Sequence, residues 1–128
     1  MTIALVGMPG CGKSTVGRHL ARHLGMRLVD SDHEIERRIG MPIRDFFAAQ
    51  GEGAFRDIEQ EVIERLCADD GIVLATGGGA VLRSSNRDQL RRGAHVFYLR
   101  STPEELFRRL RHDTHRPQRT SLLAHLQL

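Results

Sequence analysis

The single lysine of this chain lies in a glycine-rich segment, and this coincidence constrains the fold more than any other feature. Lys13 is the one lysine among 19 lysine and arginine residues, and residues 7–14 read Gly-Met-Pro-Gly-Cys-Gly-Lys-Ser. This spacing is typical of a P-loop, whose backbone N–H groups wrap a phosphate while the lysine contacts the β- and γ-phosphates and the serine ligates Mg²⁺. An apolar run at 2–6 precedes the motif and a helical pattern at 14–24 follows it. Strand, loop and helix N-terminus therefore occur in the order that phosphate binding requires.

The other apolar runs predict the fold class. They alternate with helical patterns, which predicts a parallel sheet covered by helices, and they are continuous, as in strands buried on both faces. We predict a single α/β domain over residues 1–128, with three layers, α/β/α, around a central parallel sheet. The predicted strands are 2–6, 27–30, 72–75 and 96–99, and the predicted helices are 13–24, 32–39, 42–50, 52–68, 85–92 and 103–111.

Composition narrows the class of protein. Hydrophobic residues make up 40% of the chain and charged residues 27%, as is usual for a globular domain. No apolar stretch approaches about 18 residues and no signal-peptide pattern opens the chain, so we expect neither a membrane span nor a secretion signal. Two cysteines are too few for a disulfide framework, and Cys11 lies in the phosphate loop, which favours a reducing compartment. We therefore expect a cytoplasmic protein.

The basic residues raise the question of a nucleic-acid partner. The net charge is +3, and arginines cluster at 83–92 and 100–119. Stacking aromatics are scarce, however, and most of these arginines recur at the spacing of a solvated helix face, so we expect no nucleic-acid partner. His19 and His23 are four residues apart but lack an accompanying acid or cysteine, so a solvated helix face is a simpler interpretation than zinc. We expect a monomer.

Two carboxylates follow the second predicted strand, in Asp30-Ser31-Asp32. The carboxyl ends of parallel strands line the ligand crevice of such sheets. Asp30 can help to hold hydrated Mg²⁺, while Asp32 can accept the proton of an incoming alcohol. The alternative is that Asp32 merely caps the next helix.

A second acceptor signal lies in the middle of the chain. Arg56 and Glu59 share a helix face, and an arginine oriented by a glutamate can bind a carboxylate with two hydrogen bonds. An exposed helical ion pair is the alternative. The third strand leads directly into Thr76-Gly77-Gly78-Gly79. Three glycines after a buried strand favour close approach of the backbone to a ligand.

In order and spacing, these motifs resemble those of shikimate kinase. The resemblance covers the chain to about Pro117 and includes the loop at 7–14, Asp30-Ser31-Asp32, Gly51-Glu52 with Phe55-Arg56 and Glu59, and the turn at 76–79 followed by Ala80-Val81. It implies a P-loop NTPase fold of the nucleoside monophosphate kinase type. It also implies phosphorylation of the 3-hydroxyl of shikimate, in the pathway to aromatic amino acids, with ATP and Mg²⁺.

The resemblance also implies roles for individual residues. The catalytic residues would be Lys13, Asp32 and the lid arginine Arg116. The substrate would contact Asp32, Phe47, Phe55, Arg56, Gly77, Gly78 and Gly79, with Ile43 in the same apolar wall. ATP would contact Gly10, Cys11, Gly12, Lys13, Ser14, Thr15 and Arg109. The metal ligands would be Ser14 and Asp30.

After Pro117 the sequence departs from the family pattern. We predict a core at 1–111, a lid at 112–121 and a short tail at 122–128. No final strand is found, so the strand at 96–99 is expected to form an open apolar edge. Three alternatives stay open: a nucleoside monophosphate kinase, a gluconate kinase, and a non-catalytic protein that binds nucleotide or shikimate.

Overall fold

Strands and helices alternate along the described part of the chain. A computed structural model describes residues 1–7 and 12–100. In order, the elements are β1 (Ile3–Gly7), α1 (Lys13–Leu24), β2 (Arg27–Asp30), α2 (Ser31–Ile39), α3 (Ile43–Cys67), β3 (Ile72–Ala75), a short 3₁₀ turn (Ala80–Leu82), α4 (Ser84–Gly93) and β4 (His95–Leu99). The helix predicted at 103–111, the lid and the tail lie outside the described residues.

The four strands form one parallel sheet in the order β2-β3-β1-β4. Ile3 of β1 lies opposite Val73 of β3 on one side and opposite His95 of β4 on the other. Asp30 at the end of β2 lies opposite Ala75 at the end of β3. Because all strands run in the same direction, the start of α1 after β1, the acidic triplet at the end of β2 and the glycine turn after β3 lie at the same end of the sheet.

Helices cover both faces of the sheet, which confirms the three-layer α/β/α prediction. On one face α1 packs on a small core that includes Leu5, Ala21 and Val73. Gly17 allows α1 to approach closely, because a Cβ there would lie 2.9 Å from Leu28 Cδ1. On the other face α2, α3 and α4 cover a larger core. Its fully buried members include Ile35, Phe55, Val62, Ile63, Leu74 and Leu90.

The long helix α3 is broken at Gly51, as the sequence predicts. Gly51 adopts φ 87° and ψ 175°, which lies outside the helical region and is readily adopted only by glycine. The break separates the turns that carry Phe47 from those that carry Phe55, Arg56 and Glu59. The second half of α3 can therefore direct these side chains inward independently of the first half.

Strand β4 is an apolar edge within the described residues. Among the described residues it pairs with β1 alone. Phe97 and Tyr98 are 53% and 55% exposed, and Val96 is also exposed. The predicted open edge is confirmed for this part of the chain.

Candidate functional site

The phosphate end of the site is formed by the junction of β1 and α1. The side chain of Lys13 folds back so that Nζ donates to the Gly7 carbonyl oxygen at 2.7 Å. Gly12, with φ 89°, precedes the first turn of α1, where Ser14 and Thr15 are exposed and no acidic residue occurs. This helix N-terminus and its lysine form an electropositive site suited to phosphate. The predicted contacts Gly10 and Cys11 lie outside the described residues.

Asp30, and not Asp32, caps α2. Its Oδ1 accepts from the backbone N–H of Asp32 at 2.9 Å and from that of His33 at 3.3 Å. The helix therefore begins at Ser31, one residue earlier than predicted. Asp32 lies inside the first turn and is only 3% exposed. Its carboxylate is thus directed into the protein, toward the glycine turn, and the capping alternative for Asp32 is wrong.

Two of the three glycines make room for charged side chains. A Cβ at Gly77 would lie 2.5 Å from Asp32 Oδ1. A Cβ at Gly79 would overlap the guanidinium group of Arg56. The glycine run is therefore a surface against which Asp32 and Arg56 both pack, and any other residue would displace one of them.

The amide of Gly77 is already engaged. It donates to the hydroxyl oxygen of Ser31 at 2.9 Å in a buried hydrogen bond. Gly77 therefore contributes space beside Asp32, while Gly78 and Gly79 stay candidates for backbone donors to a substrate. All three glycines are buried.

Arg56 and Glu59 form a buried ion pair, so the exposed-pair alternative is wrong. Nη1 of Arg56 lies 3.1 Å from Glu59 Oε1, and Nε lies 3.6 Å from Glu52 Oε1. Within the described residues, Nε and Nη2 of Arg56 have no hydrogen-bond partner. Because a buried donor without a partner costs free energy, Nη2 is suited to an anionic ligand, and Nε can join it by exchanging the Glu52 carboxylate for that ligand.

Burial also changes the acid chemistry of Glu59. Removal from solvent raises the pKa of its carboxyl group from 4.5 to about 7, and the negative charge of Asp32 acts in the same direction. The guanidinium of Arg56 opposes this rise through its charge and its hydrogen bond. Glu59 is therefore poised to change protonation near neutral pH.

The predicted apolar wall is assembled behind this ion pair. The rings of Phe47 and Phe55 lie 5.6 Å apart, and the Arg56 guanidinium lies 5.1 Å from the Phe55 centroid. Phe55 and Ile43 are buried core residues, whereas Phe47 is half-buried. Phe55 thus supports Arg56 from beneath, and Phe47 is the more accessible ring.

Sequence reasoning missed two hydroxyl side chains, Ser31 and Thr76. Thr76 Oγ1 donates to the carbonyl oxygen of Leu5 at 2.9 Å, and its backbone N–H donates to the same oxygen at 3.1 Å. The only available signal was a hydroxyl residue directly after a buried strand. The predicted ligands Arg109 and Arg116 lie outside the described residues.

Two features are absent from the described residues. No group of three or more His, Cys, Asp or Glu side chains is arranged there to hold a metal ion. Within residues 1–7 and 12–100, no helix combines the length and apolarity needed to cross a bilayer.

Comparison with known families identifies this arrangement. A family model described as shikimate kinase matches residues 9–124. This chain belongs to the shikimate kinase family. Shikimate kinase of Paracidovorax citrulli is 57% identical over 119 residues, which are 91% of this chain and 65% of that protein. Shikimate kinase of Thiobacillus denitrificans is 54% identical over 113 residues, which are 88% of this chain and 62% of that protein.

Solved structures of shikimate kinases share the fold. Shikimate kinase from Acinetobacter baumannii, in complex with shikimate, matches with a TM-score of 0.87 at 46% identity and covers 91% of this chain and 65% of that one. The enzyme from Aquifex aeolicus matches with a TM-score of 0.84 at 32% identity, over 91% of this chain and 70% of that one. A gluconokinase from Sinorhizobium meliloti, at 23% identity and a TM-score of 0.63, shares the fold alone.

This family assignment confirms the resemblance and the fold class predicted from the sequence. The chain spans less than two thirds of the length of the two curated shikimate kinases described above.

Proposed function

We propose that the chain provides the catalytic site of a shikimate kinase, which transfers the γ-phosphoryl group of ATP to the 3-hydroxyl of shikimate. One observation carries this proposal. Arg56 is buried against the same glycine turn as Asp32, and two of its guanidinium nitrogens have no hydrogen-bond partner among the described residues. A small acceptor that has both a carboxylate and a hydroxyl group fits this pairing of guanidinium and carboxylate.

The nucleotide is held by the β1–α1 junction. Gly12, Lys13, Ser14 and Thr15 bind its phosphates, with Gly10 and Cys11 completing the loop and Arg109 contacting the adenine. The residues present also fit Mg²⁺, because the Ser14 hydroxyl is exposed at the start of α1 and Asp30 closes β2, two strands from β1 at the same end of the sheet. When bound, Mg²⁺ neutralises phosphate charge.

The acceptor is held and activated by α2, α3 and the glycine turn. Arg56 binds the carboxylate of shikimate through Nε and Nη2, while Glu59 holds Nη1. The 3-hydroxyl oxygen attacks the γ-phosphorus, the bond from that phosphorus to the β–γ bridging oxygen breaks, and ADP leaves with the bridging oxygen. Asp32 accepts the hydroxyl proton, and Lys13 and Arg116 stabilise the charge on the transferred group.

The cellular setting follows from this activity. We infer a cytoplasmic monomer that acts in aromatic amino-acid biosynthesis, with ATP and shikimate as its partners and no nucleic acid or membrane.

A coupled ADP-release assay tests the proposal. The acceptors are shikimate, AMP and gluconate, each with ATP and Mg²⁺, and Lys13→Ala is the matched inactive control. Of the three acceptors, we expect only shikimate to support ADP release, and we expect Lys13→Ala to lose this release. Release with AMP or gluconate instead would contradict the proposal, as would near-normal turnover by Lys13→Ala. Calorimetric binding of shikimate without ADP release would favour the non-catalytic alternative.

A further inference from the structure

Ser31, between the two aspartates, occupies an unusual position. It is the first residue of α2, and its side chain is fully buried, at 0% exposed. Its hydroxyl oxygen accepts the N–H of Gly77, a residue 46 positions further along the chain, at 2.9 Å. A buried side chain of α2 is therefore bonded directly to the backbone of the glycine turn.

The glycine turn lies beyond the end of the sheet pairing. The last registered pairs of β3 join Ala75 to Leu5 of β1 and to Asp30 of β2. After Ala75, Thr76 bonds to the Leu5 carbonyl on the β1 side and Gly77 bonds to Ser31 on the α2 side. The start of the turn is thus held by β1 on one side and by α2 on the other, and Ser31 supplies the contact on the acceptor side.

The position of this turn matters because two charged groups rest on it. Asp32 Oδ1 occupies the space that a Cβ of Gly77 would fill, and the Arg56 guanidinium occupies that of Gly79. Movement of the turn away from α2 would change the separation of the carboxylate and the guanidinium. An acceptor held by both groups would then bind more weakly, whereas the affinity for a nucleotide held at the β1–α1 junction would not change.

We propose that Ser31 is a positioning residue of the acceptor site, whose hydroxyl fixes the glycine turn against α2 so that Asp32 and Arg56 keep the separation an acceptor requires. The role of Ser31 in fixing the turn does not depend on which acceptor binds. Its expected effect on kinetics rests on the proposed shikimate kinase activity.

The test compares Ser31→Ala with Thr2→Val. Thr2 is a suitable control because it is also buried, and its hydroxyl donates to the Asp69 carbonyl at 3.0 Å, at the opposite end of β1. Amide hydrogen exchange of Gly77, measured by NMR on the full chain, is expected to be about tenfold faster in Ser31→Ala, the scale for loss of one buried hydrogen bond. Thr2→Val should leave this exchange unchanged after correction for global stability.

Kinetics on the same proteins provide the second measurement. Ser31→Ala should raise the KM for shikimate several-fold while the KM for ATP stays unchanged, and Ser31→Thr, which keeps the hydroxyl, should restore Gly77 protection. Unchanged Gly77 exchange in Ser31→Ala would overturn the proposal, as would an equal rise of both KM values. If Ser31→Ala does not fold, Ser31→Cys takes its place, because sulfur is a weak acceptor of similar size.

The two proposals can fail separately. If the wild-type chain releases no ADP with shikimate, the proposed function fails, and Gly77 exchange alone then supports or overturns the role of Ser31 in fixing the turn.

Discussion

At the scale of the residue, Asp32 and Asp30 are two identical side chains with different surroundings. Asp30 is engaged with backbone N–H groups of α2, while Asp32 is buried against Gly77. The sequence predicts that the pair is functional, but it cannot tell which aspartate caps the helix, because both lie within reach of the first helical N–H groups. The structure distinguishes the two roles, because α2 begins at Ser31 and this places Asp30 at the cap and Asp32 inside the first turn.

The consequence for catalysis can be measured with Asp32→Asn. The amide keeps the size of the side chain beside Gly77 but cannot accept the hydroxyl proton, so we expect turnover to fall by about 10²- to 10⁴-fold with ATP affinity retained. Steady-state kinetics and ATP binding by calorimetry check this, with Asp45→Asn as an exposed control. Collapse of ATP affinity with turnover preserved would mean that Asp32 acts with the metal and that the two aspartates have exchanged roles.

Glu59 gives the chain a pH dependence of stability. Its pKa is about 7 in the folded state against 4.5 for the ordinary side chain, so the folded state binds the proton more tightly than the unfolded state. The stabilisation is complete below pH 4.5 and is lost as the pH rises through 7. The shift corresponds to about 3 kcal/mol, at about 1.4 kcal/mol for each pKa unit.

Glu59→Gln should remove this dependence, because glutamine stays neutral. We expect the free energy of unfolding of the variant, relative to wild type, to rise by up to about 3 kcal/mol between pH 4.5 and pH 8. Urea unfolding of both proteins across this range measures it. A constant difference at every pH would show that Glu59 is not titrating there.

At the scale of the element, the glycine turn and the two halves of α3 illustrate what can be predicted from sequence. The sequence predicted two helices, 42–50 and 52–68, and the structure places the break between them at Gly51. The sequence also predicted a ligand-approach role for the triple glycine, but it could not identify which side chains pack there. Those contacts join residues far apart in the chain, Gly77 with Asp32 and Gly79 with Arg56, and no local periodicity reports them. The 3₁₀ turn at Ala80–Leu82 was missed because three residues carry no periodic signal.

Gly79→Ala tests the packing of the turn. The new Cβ would overlap the Arg56 guanidinium, so either the Arg56–Glu59 pair or the turn must move. We expect a loss of stability of roughly 1–3 kcal/mol, the scale of an overpacked site, together with weaker shikimate binding. Thermal unfolding and calorimetry measure the two effects.

Gly53→Ala is the matched control for this variant. A Cβ at Gly53 meets no atom within 4 Å, and the residue is helical, so the alanine should stabilise the protein by up to about 1 kcal/mol. If both alanine variants change stability in the same direction and by the same amount, the packing explanation of Gly79 is wrong.

At the scale of the whole molecule, the sheet combines two buried central strands with an exposed strand at one edge. The central strands β1 and β3 are buried, whereas Val96, Phe97 and Tyr98 of β4 are accessible. An apolar edge without a charged residue along the strand favours pairing with another chain. The sequence predicted this open edge from its departure from the shikimate kinase pattern after Pro117, whereas the order of the strands was not predicted, because alternation of strands and helices does not determine which strands are neighbours.

We therefore expect the proposed monomer to associate as its concentration rises, and Phe97→Lys to prevent this. A lysine on an edge strand opposes pairing through charge, and Phe97 is exposed enough that the fold should persist. Sedimentation velocity over a concentration series measures the effect. Met41→Lys, at another exposed apolar side chain, is the control. Equal association of wild type and Phe97→Lys would show that β4 is not the contact.

The order of the strands also sets the distance between the ends of β1 and β2. Lys13 follows β1 and the acidic triplet begins at the last residue of β2, and these two strands are separated by β3. Neighbouring strands lie about 4.8 Å apart, so the two chemical groups start from points about 10 Å from each other. In the proposed reaction, the transferred phosphoryl group and the acceptor ring therefore have to fit between starting points that lie two strands apart. We expect the strand spacing to limit the size of the acceptor independently of the side chains that bind it.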